Sequence, residues 1–399
     1  MIPGHVPESL VVDFDYHGDA DFLADPFAAL DRVRDRRAFF SPRYDGYWVL
    51  TRAEDIRAVF QDPATFSSAD VAIPKGPYPR VLRPVALDPP EHGIYRQILA
   101  PAFSPMAAAR REDEVRAICR SLVDAFAATG GCDLVGDLAK PLPTTVFLAL
   151  VGLPLEDAPQ FLEWNDALLH GYADPAGRKL AAKSIETYLG DVVARRRARS
   201  QPGDDDVLST LLDAQVEGRP ITDDEVLDVL FLLFIAGLDT VTAATSFAFW
   251  TLARRPDLQQ RLAADPSIAP AAVEELLRAH GIVNAARTAT RDTTIAGGVK
   301  VRAGDRVLLA SALANRDPEE FSEPADIDFG RSPNRHVAFG AGPHRCLGSH
   351  LARLEMRIAL EEFHRRIPSY SLVPGVETTA HGGGVFGLDR LPLTWDAAL

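Results

Sequence analysis

The sequence predicts a mainly α-helical protein with a minor β portion. Apolar residues recur at helical spacing through most of the middle of the chain, whereas strand-like alternation is confined to positions before residue 51 and after residue 292. One apolar run, residues 226–254, suits a single helix of about thirty residues. No linker, repeat or low-complexity tract divides the 399 residues, so we expect one domain over residues 1–399.

The first elements of the chain are a helix and a hairpin. Residues 26–35 carry apolar side chains at helical spacing, and residues 38–50 are predicted to form a hairpin around Tyr44-Asp45-Gly46. Residues 72–80 contain too much proline and glycine for regular structure, so we expect a long loop there. Loops of this kind often close over a binding site.

Helical patterning dominates the chain from residue 91 onward. Strands are predicted again over residues 293–311, where Gly297-Gly298 and Gly304 are turn signals, and over residues 370–395. The predicted helices are residues 91–99, 105–128, 143–151, 155–169, 176–199, 207–214, 226–254 and 347–363.

Charge and cysteine content exclude several kinds of protein. The formal net charge of −14 argues against a nucleic-acid-binding surface as the main function. Three cysteines are too few for a disulfide framework, which fits a reducing compartment. The first residues, Met1-Ile-Pro-Gly-His, have neither the basic start nor the apolar core of a signal peptide. We therefore expect a cytoplasmic protein that binds neither nucleic acid nor a membrane.

The long apolar helix has a defined start and end in the sequence. Thr222-x-x-Glu225 has the form of a capping box, and Pro256 follows where the helix should end. A membrane span is the alternative interpretation of so apolar a segment. Asp239 and Thr240 lie within this run, which favours a helix through the protein core instead.

One of the three cysteines, Cys346, lies in a loop that contains Gly340, Gly342 and Gly348. Glycine permits backbone angles and close approaches that a β-carbon would block, so a flat macrocycle can lie against such a loop. Cys346 is also close to the start of the predicted helix 347–363, where unpaired N–H groups favour a thiolate. The residues therefore indicate an iron ligand, and a buried structural cysteine is the alternative.

Two motifs are similar to those of a known family. The pattern Phe339-Gly-x-Gly-x-His-x-Cys-x-Gly348 resembles the haem-binding signature of the cytochrome P-450 monooxygenases, and Ala236-Gly-Leu-Asp-Thr240 resembles their oxygen-activating motif. The likeness extends from about residue 24 to residue 395. It implies the family's triangular, mainly helical fold, with haem b between the long central helix and the cysteine loop helix. Within the family, Leu87-Asp-Pro-Pro-Glu91, Gly237-Leu-Asp-Thr-Val241 and the closing strand resemble the soluble bacterial, camphor-hydroxylating group.

The resemblance implies a proton relay and a set of haem contacts. Asp239 and Thr240 would deliver the protons that cleavage of the O–O bond of O2 needs, and the Thr240 hydroxyl would bond to the carbonyl of Ala236 and open a groove. A solvent-exposed Asp-Thr pair without a catalytic role is the alternative. The haem contacts that the family pattern implies are His92, Arg96, Ala236, Gly237, Arg287, Phe339, Gly340, His344, Cys346 and Gly348, with Cys346 as the metal ligand.

Two further sets of residues follow from the resemblance. Glu275 and Arg278, three apart on one helical face, would pair with each other and with Arg331 in a structural role. The residues expected to line the substrate pocket are mostly apolar, which indicates a compact hydrophobic substrate, and core packing is the alternative at each position. They are Tyr78, Leu232, Ile235, Ala236, Ile282, Val283, Asn284, Val385 and Phe386.

The implied function is a haem-thiolate monooxygenase that inserts one oxygen atom from O2 into a small hydrophobic substrate by C–H hydroxylation, epoxidation or dealkylation. No flavin or nicotinamide fingerprint occurs, so we expect electrons from a separate ferredoxin-type iron-sulfur protein and its NAD(P)H reductase. A peroxide-driven oxygenase and a catalytically silent haem-binding scaffold are the alternatives. The donor's expected docking surface consists of Arg96, Arg110, Arg111, Arg345 and Arg353.

Overall fold

The computed structural model describes residues 2–76, 78–171, 174–198, 205–376 and 378–397, and these residues are mainly α-helical with small sheets. The predicted fold class is therefore confirmed. The α-helices of the described residues are α1 (Ala20–Ala24), α2 (Pro26–Val33), α3 (Ala53–Gln61), α4 (Glu91–Leu99), α5 (Pro105–Arg110), α6 (Glu112–Phe126), α7 (Pro141–Val151), α8 (Ala158–Asn165), α9 (Pro175–Arg197), α10 (Val207–Leu212), α11 (Asp223–Leu252), α12 (Pro256–Ala264), α13 (Ala269–Ala279), α14 (Ser311–Asn315) and α15 (Ser349–Arg366).

Short strands accompany the helices. In the described part of the chain they are β1 (Ala38–Ser41), β2 (Tyr47–Leu50), β3 (Phe66–Ser67), β4 (Gly131–Asp133), β5 (Gln215–Val216), β6 (Arg219–Pro220), β7 (Asn284–Ala289), β8 (Thr293–Ile295), β9 (Val299–Val301), β10 (Arg306–Ala310), β11 (Ser371–Leu372), β12 (Ala380–His381), β13 (Gly387–Leu388) and β14 (Pro392–Thr394). Five form one sheet in the order β1-β2-β10-β7-β3, in which only β10 and β2 are parallel. The pairs β5–β6, β8–β9, β11–β14 and β12–β13 are antiparallel.

The chain folds into two compact units, each assembled from separate stretches of sequence. The first unit consists of Met1–Gly76, Ala243–Cys346 and Pro368–Trp395 and holds the five-stranded sheet. Trp48 of β2 lies opposite Val307 of β10, and both side chains are fully buried. One domain over residues 1–399 stays a prediction.

The predicted hairpin in the first unit is confirmed. β1 and β2 pair in antiparallel register, and the turn uses left-handed backbone angles at Tyr44, Asp45 and Gly46, with φ of 50°, 65° and 91°. Aspartate and glycine adopt such angles at lower cost than most residues, which is why the sequence located this turn.

The second unit consists of Pro77–Thr242, Leu347–Ile367 and the C-terminal residues 396–399, and it contains most of the long helices. Within it α6 packs against α15. The buried side chains of α6 include Val115, Cys119 and Val123, which are four residues apart and therefore share one face.

α11 confirms the predicted capping box and the predicted length of about thirty residues. The backbone N–H of Thr222 donates to a carboxylate oxygen of Glu225 at 2.8 Å, and the N–H of Glu225 donates to the Thr222 hydroxyl at 3.2 Å. By length and composition alone this helix can cross a membrane, with a mean hydropathy of 2.0 in its most apolar window. Because 61% of that window is buried, its environment is that of a core helix.

Two predicted helices are interrupted in the structure. The helix predicted over residues 105–128 is α5 followed by α6, because Arg111 between them has φ −91° and ψ 0°. The helix predicted over residues 155–169 is a 3-10 turn, α8 and a π-helical turn at Asp166–His170. Both interruptions preserve the apolar spacing, so the periodicity of the sequence did not reveal them.

Other boundaries differ by a few residues. The helix predicted over residues 176–199 is α9, and residue 199 lies outside the described residues. The helix predicted over residues 347–363 is α15, which begins two residues later. The described residues of the loop 72–80 have no helix or strand, as predicted.

Candidate active site

The cysteine loop, residues 336–346, belongs to the first unit and is shaped by its backbone. The N–H of Cys346 donates to the carbonyl of Phe339 at 2.8 Å, and the N–H of Gly340 donates to that of Val337 at 2.8 Å. Gly340 and Gly342 both have φ of 67°, in the left-handed region. These bonds and angles turn the chain so that the side chain of Cys346 is exposed.

Gly342 is required by a close approach within the first unit. A β-carbon at this position would clash with the carbonyl oxygen of Phe60 at the end of α3 and would lie 3.1 Å from the Cα of Gln61. At Gly340 the nearest atoms to a β-carbon belong to the Phe60 ring, at 3.8 Å, an ordinary contact. The backbone of the cysteine loop therefore packs directly on the backbone of α3.

The other two cysteines have different surroundings. Cys119 is buried, with Sγ 3.9 Å from the carbonyl oxygen of Ile358, and burial raises the pKa of its thiol to about 12. Burial also raises the pKa of the Cys132 thiol. Cys346 is thus the exposed member of the three, and the alternative of a buried structural cysteine fits Cys119 instead.

A buried ion cluster precedes the cysteine loop. Glu275 and Arg278 are fully buried on α13, and the guanidinium donates to both carboxylate oxygens at 2.9 and 2.8 Å. Nε of Arg331 lies 3.1 Å from the same carboxylate. Arg278 also donates to the carbonyls of Asn315, Pro324 and Asp326. These contacts satisfy the buried charges and connect α13 with the chain leading to Cys346.

Four of the predicted haem contacts, His92, Arg96, Arg287 and His344, have charged or polar side chains that can bind the two propionate groups of a haem. Arg287 and His344 lie in the first unit, where Arg287 is 4% exposed, donates to the carbonyl of Ala286 at 2.7 Å and lies over the Phe60 ring. His92 and Arg96 lie on α4 of the second unit, where His92 is buried and Arg96 is half-buried. A buried guanidinium such as that of Arg287 is a strong donor to a carboxylate.

The segment 236–240 of α11, which we call the acid–alcohol segment, lies in the second unit. Oγ1 of Thr240 donates to the carbonyl oxygen of Ala236 at 2.9 Å, the bond that the sequence predicted. Leu232, Ile235, Ala236, Gly237 and Thr240 are half-buried or exposed, whereas Phe231, Phe234, Leu238 and Asp239 are buried. The accessible residues form a stripe along one side of a core helix, a shape that suits a flat apolar ligand.

Asp239 has a partner that the sequence did not predict. The side chain of Asp239 is 5% exposed, and its Oδ1 lies 2.9 Å from Nε2 of His170. Burial by itself would lower the pKa of His170, but the carboxylates of Asp239 and Asp166 outweigh burial and raise it to about 10. Asp166 and His170 are four residues apart, which is the one signal in the sequence that could have indicated a charged pair.

The predicted pocket residues have two kinds of surroundings. In the second unit Tyr78 is half-buried, and burial raises the pKa of its phenol. In the first unit Phe386 is fully buried against Phe22, Phe27 and Phe247.

Polar contacts and strand pairing also involve predicted pocket residues of the first unit. Asn284 donates from its amide to the carbonyl of Gly383 at 2.9 Å, and Val283 forms a bridge with Val385. Ile282 is buried. At Phe386 and Asn284 these contacts support the alternative of core packing.

Comparison with known proteins identifies the class. The sequence model of the family Cytochrome P-450 matches residues 43–266 and 267–366, and the chain belongs to this family of oxidoreductases. It is 39% identical to "Probable cytochrome P-450 127A1" of Sinorhizobium fredii, over 99% of this chain and 97% of that protein. It is 34% identical to "Mycinamicin IV hydroxylase/epoxidase" of Micromonospora griseorubida, over 96% of this chain and 97% of that protein.

A solved structure gives the same result for the fold. The crystal structure of CYP101C1 matches with a TM-score of 0.90 at 34% identity, over 99% of this chain and 100% of that chain. CYP101C1 belongs to the camphor-type group, in agreement with the predicted likeness. The family uses haem b, with O2 as co-substrate.

The residues present fit such a cofactor. A haem needs a thiolate that is accessible and a loop on which a flat ring can lie, and Cys346 and the left-handed glycines of the cysteine loop provide both. The ring's carboxylates need buried donors, and the guanidinium of Arg287 is one. The donor set therefore agrees with a haem-thiolate site.

Proposed function

We propose that this protein is a haem-thiolate monooxygenase that inserts one oxygen atom from O2 into a small hydrophobic substrate. The observation that carries the proposal is the exposed side chain of Cys346 at the end of a loop with two left-handed glycines, Gly340 and Gly342. Hydroxylation of a C–H bond is the expected reaction, with epoxidation and dealkylation as further ones. The printed name of the Micromonospora relative includes the first two.

The haem would be held mainly by the cysteine loop. Sγ of Cys346 would bind the iron, and the bound haem would supply the chemistry that activates oxygen. Phe339, Gly340 and Gly348 would lie against the ring, as would Ala236 and Gly237 of α11. The charged and polar partners of the propionates would be His92, Arg96, Arg287 and His344.

The acid–alcohol segment would supply protons. The bond from Thr240 to the carbonyl of Ala236 fixes the hydroxyl oxygen beside the accessible stripe of α11. Asp239 is buried and directly precedes Thr240 in the sequence. It would pass protons toward the Thr240 hydroxyl. The presence of both Asp239 and Thr240 supports an enzyme that uses O2. A peroxide-driven oxygenase or a catalytically silent scaffold would not need these residues to deliver protons.

The substrate would be compact and hydrophobic. This rests on the apolar character of most predicted pocket residues, namely Leu232, Ile235, Ala236, Ile282, Val283, Val385 and Phe386, with Tyr78 and Asn284 as the polar members. Glu275, Arg278 and Arg331 would be structural, since the charges of Glu275 and Arg278 are fully buried and bonded to one another.

Electrons would come from a ferredoxin-type iron-sulfur protein with its NAD(P)H reductase, because the chain lacks a flavin or nicotinamide motif. The donor would bind the basic residues predicted above, of which Arg110 and Arg345 are exposed. We also propose a single domain and a cytoplasmic location, with neither nucleic acid nor a membrane as partner.

The test is the absorption spectrum of the reduced, carbon-monoxide-bound protein. We expect the parent and Cys119→Ser to give the thiolate-specific band, and Cys346→Ser to lose it. A band that survives Cys346→Ser would contradict the proposal. A screen of terpenoid and aromatic compounds for a shift in the haem spin state would then identify substrates.

A further inference from the structure

The first unit contains a cavity that is separate from the cysteine loop. It lies where the start of α2, the end of α11 and the residue that follows α13 meet, and its volume is about 330 Å³, a size found among small-molecule sites. None of its lining residues is a predicted haem contact or a predicted substrate-pocket residue. Its wall includes the apolar side chains of Phe27 and Ile327, and its rim includes the exposed residues Ala28 and Arg254.

Two buried polar atoms in the wall of this cavity have no partner. They are Nε1 of the Trp250 indole and Nδ1 of His280, and neither has a hydrogen-bond partner within the described part of the chain. The His280 residue is only 6% exposed. An indole N–H can donate but cannot accept, and a buried donor without an acceptor destabilises the folded state. An acceptor bound in the cavity would remove that penalty.

The surroundings of His280 allow its Nδ1 to donate. Nε2 of the ring lies 2.6 Å from Oγ1 of Thr251. Burial, together with the positive charges of Arg316 and Arg278, lowers the pKa of His280 to about 3, so the ring is neutral at pH 7. A neutral ring carries one proton, and when the Thr251 hydroxyl donates to Nε2, that proton is on Nδ1.

Arg254 adds a positive charge at the rim of the cavity. Its guanidinium carbon lies 3.7 Å from the centroid of the Trp250 ring, and its Nη1 donates to the carbonyl of Trp250 at 3.1 Å. Asp25 acts on this charge without pairing with it, and Arg254 forms no ion pair among the described residues. The other two arginines of the wall are already paired with carboxylates: Arg255 with Asp257 at 2.7 Å, and Arg316 with Asp31 at 2.6 Å.

We propose that this cavity binds a compact organic carboxylate. The carboxylate would accept from the guanidinium of Arg254 and the indole N–H of Trp250, with Nδ1 of His280 as a further donor. The Trp250 and His280 ring centroids are 6.2 Å apart, so one ligand can reach all three side chains. The apolar body of the ligand would lie against Phe27 and Ile327. Nothing in this binding depends on haem chemistry.

The first test follows the indole N–H signals of the holoenzyme by NMR, with benzoate as the probe. The ferrous, carbon-monoxide-bound state is diamagnetic, and Trp250→Phe identifies the Trp250 signal among the four tryptophans. We expect benzoate to shift this signal in a saturable way, with a Kd on the order of 1 mM, because the N–H gains a charged acceptor. The Trp48 signal should stay in place, since its Nε1 already donates to Asp305 at 3.1 Å.

The second test compares two arginine variants. Arg254→Gln should weaken the binding of benzoate at least tenfold, because it removes the charged partner of the carboxylate. Arg32→Gln is the matched control, since Arg32 is an exposed arginine of α2 that pairs with Asp21 and does not line the cavity. It should bind benzoate as the parent does. Both variants should keep the carbon-monoxide spectrum of the parent, which shows that fold and haem are retained.

A third measurement uses benzamide, which has the same ring as benzoate but no charge. We expect benzamide to bind at least tenfold more weakly than benzoate. Equal affinities for the two compounds, or equal affinities of the parent and Arg254→Gln for benzoate, would show that the cavity does not recognise a carboxylate and would overturn the proposal.

Two further outcomes would also overturn the proposal. If benzoate changed the haem absorption while the Trp250 signal stayed in place, benzoate would occupy the haem pocket alone. If benzoate moved neither the Trp250 signal nor the haem absorption up to its solubility limit, water would be the acceptor for the buried donors of this cavity.

Discussion

The cysteine loop and the acid–alcohol segment are held by different kinds of contact. The loop is held by backbone hydrogen bonds, such as that from Cys346 to Phe339, and by the packing of its glycines on α3. The acid–alcohol segment is held by side chains, with Thr240 bonded to a carbonyl of its own helix and Asp239 to His170.

The difference shows how one protein can combine a site of fixed backbone geometry with a site whose side chains gain and lose protons. Backbone N–H groups do not titrate, so the bonds from Cys346 to Phe339 and from Gly340 to Val337 do not depend on pH. Carboxyl, imidazole and hydroxyl groups gain and lose protons, so the acid–alcohol segment can move protons while its backbone stays helical. Four substitutions can break or sharpen this comparison.

The largest effect is expected at the ion cluster that precedes the cysteine loop. Glu275→Ala leaves the fully buried guanidinium of Arg278 without its carboxylate, which should lower the free energy of unfolding by about 3–5 kcal/mol. Denaturant unfolding of the holoenzyme measures this. Arg32→Ala removes an exposed ion pair with Asp21 and should cost less than about 1 kcal/mol. Equal losses in the two variants would show that the cluster does not stabilise the loop.

The next effect concerns the packing of the cysteine loop on α3. Gly342→Ala combines a left-handed backbone with a clash against Phe60, so it should cost about 2–4 kcal/mol and reduce haem retention. Gly340→Ala has the same φ but only ordinary contacts, and it should cost about 1–2 kcal/mol. Thermal unfolding and haem release would rank the two variants. The reverse order would mean that packing on α3 does not fix the loop.

The third substitution tests the acid–alcohol segment. Thr240→Ala should leave haem binding intact and lower the product formed per NADH about tenfold, with the electrons diverted to peroxide or water. Thr242→Ala is the control, because the Thr242 hydroxyl also bonds to a carbonyl of α11, that of Leu238, but is buried. If both variants lowered the product per NADH equally, the effect would not depend on the position of Thr240, and its assignment to proton delivery would be wrong.

The smallest expected effect is a pH dependence of the free energy of unfolding, which only a substitution beside the acid–alcohol segment should show. The folded state raises the pKa of His170 from 6.5 to about 10, so its stabilising contribution is complete below about pH 6.5 and is lost as the pH rises through about 10. The loss of stability in His170→Phe should therefore shrink between pH 6 and pH 10, by on the order of 1 kcal/mol. The loss in Gly342→Ala should stay constant. If the loss of stability changed with pH in the same way in both variants, the contrast between the cysteine loop and the acid–alcohol segment would be wrong.

The sequence was sufficient where a contact joins neighbouring residues. The capping box of α11 joins Thr222 and Glu225, three residues apart, and the bond from Thr240 to Ala236 spans one helical turn. Such contacts follow from helix geometry, which the apolar spacing already indicates. The pairing of Glu275 with Arg278 was predictable for the same reason.

The sequence was not sufficient where a contact joins distant residues. His170 lies 69 residues before Asp239, and no local pattern indicates which helices will bring them together. The approach of Gly342 to Phe60 depends likewise on how α3 packs, so the sequence explained the glycine only by a general need for backbone freedom. The break at Arg111 leaves the apolar period unchanged and was missed for that reason.

The apolar character of α11 also has a consequence for biosynthesis. Residues 223–242 of α11 belong to the second unit, which also needs Leu347–Ile367, so the ribosome must make residues 243–346 before that part of the unit exists. During this interval a stretch as hydrophobic as a membrane span belongs to an unfinished unit. Nascent chains in this state bind chaperones and aggregate when these are scarce, so we expect yield to depend on translation rate and chaperone supply.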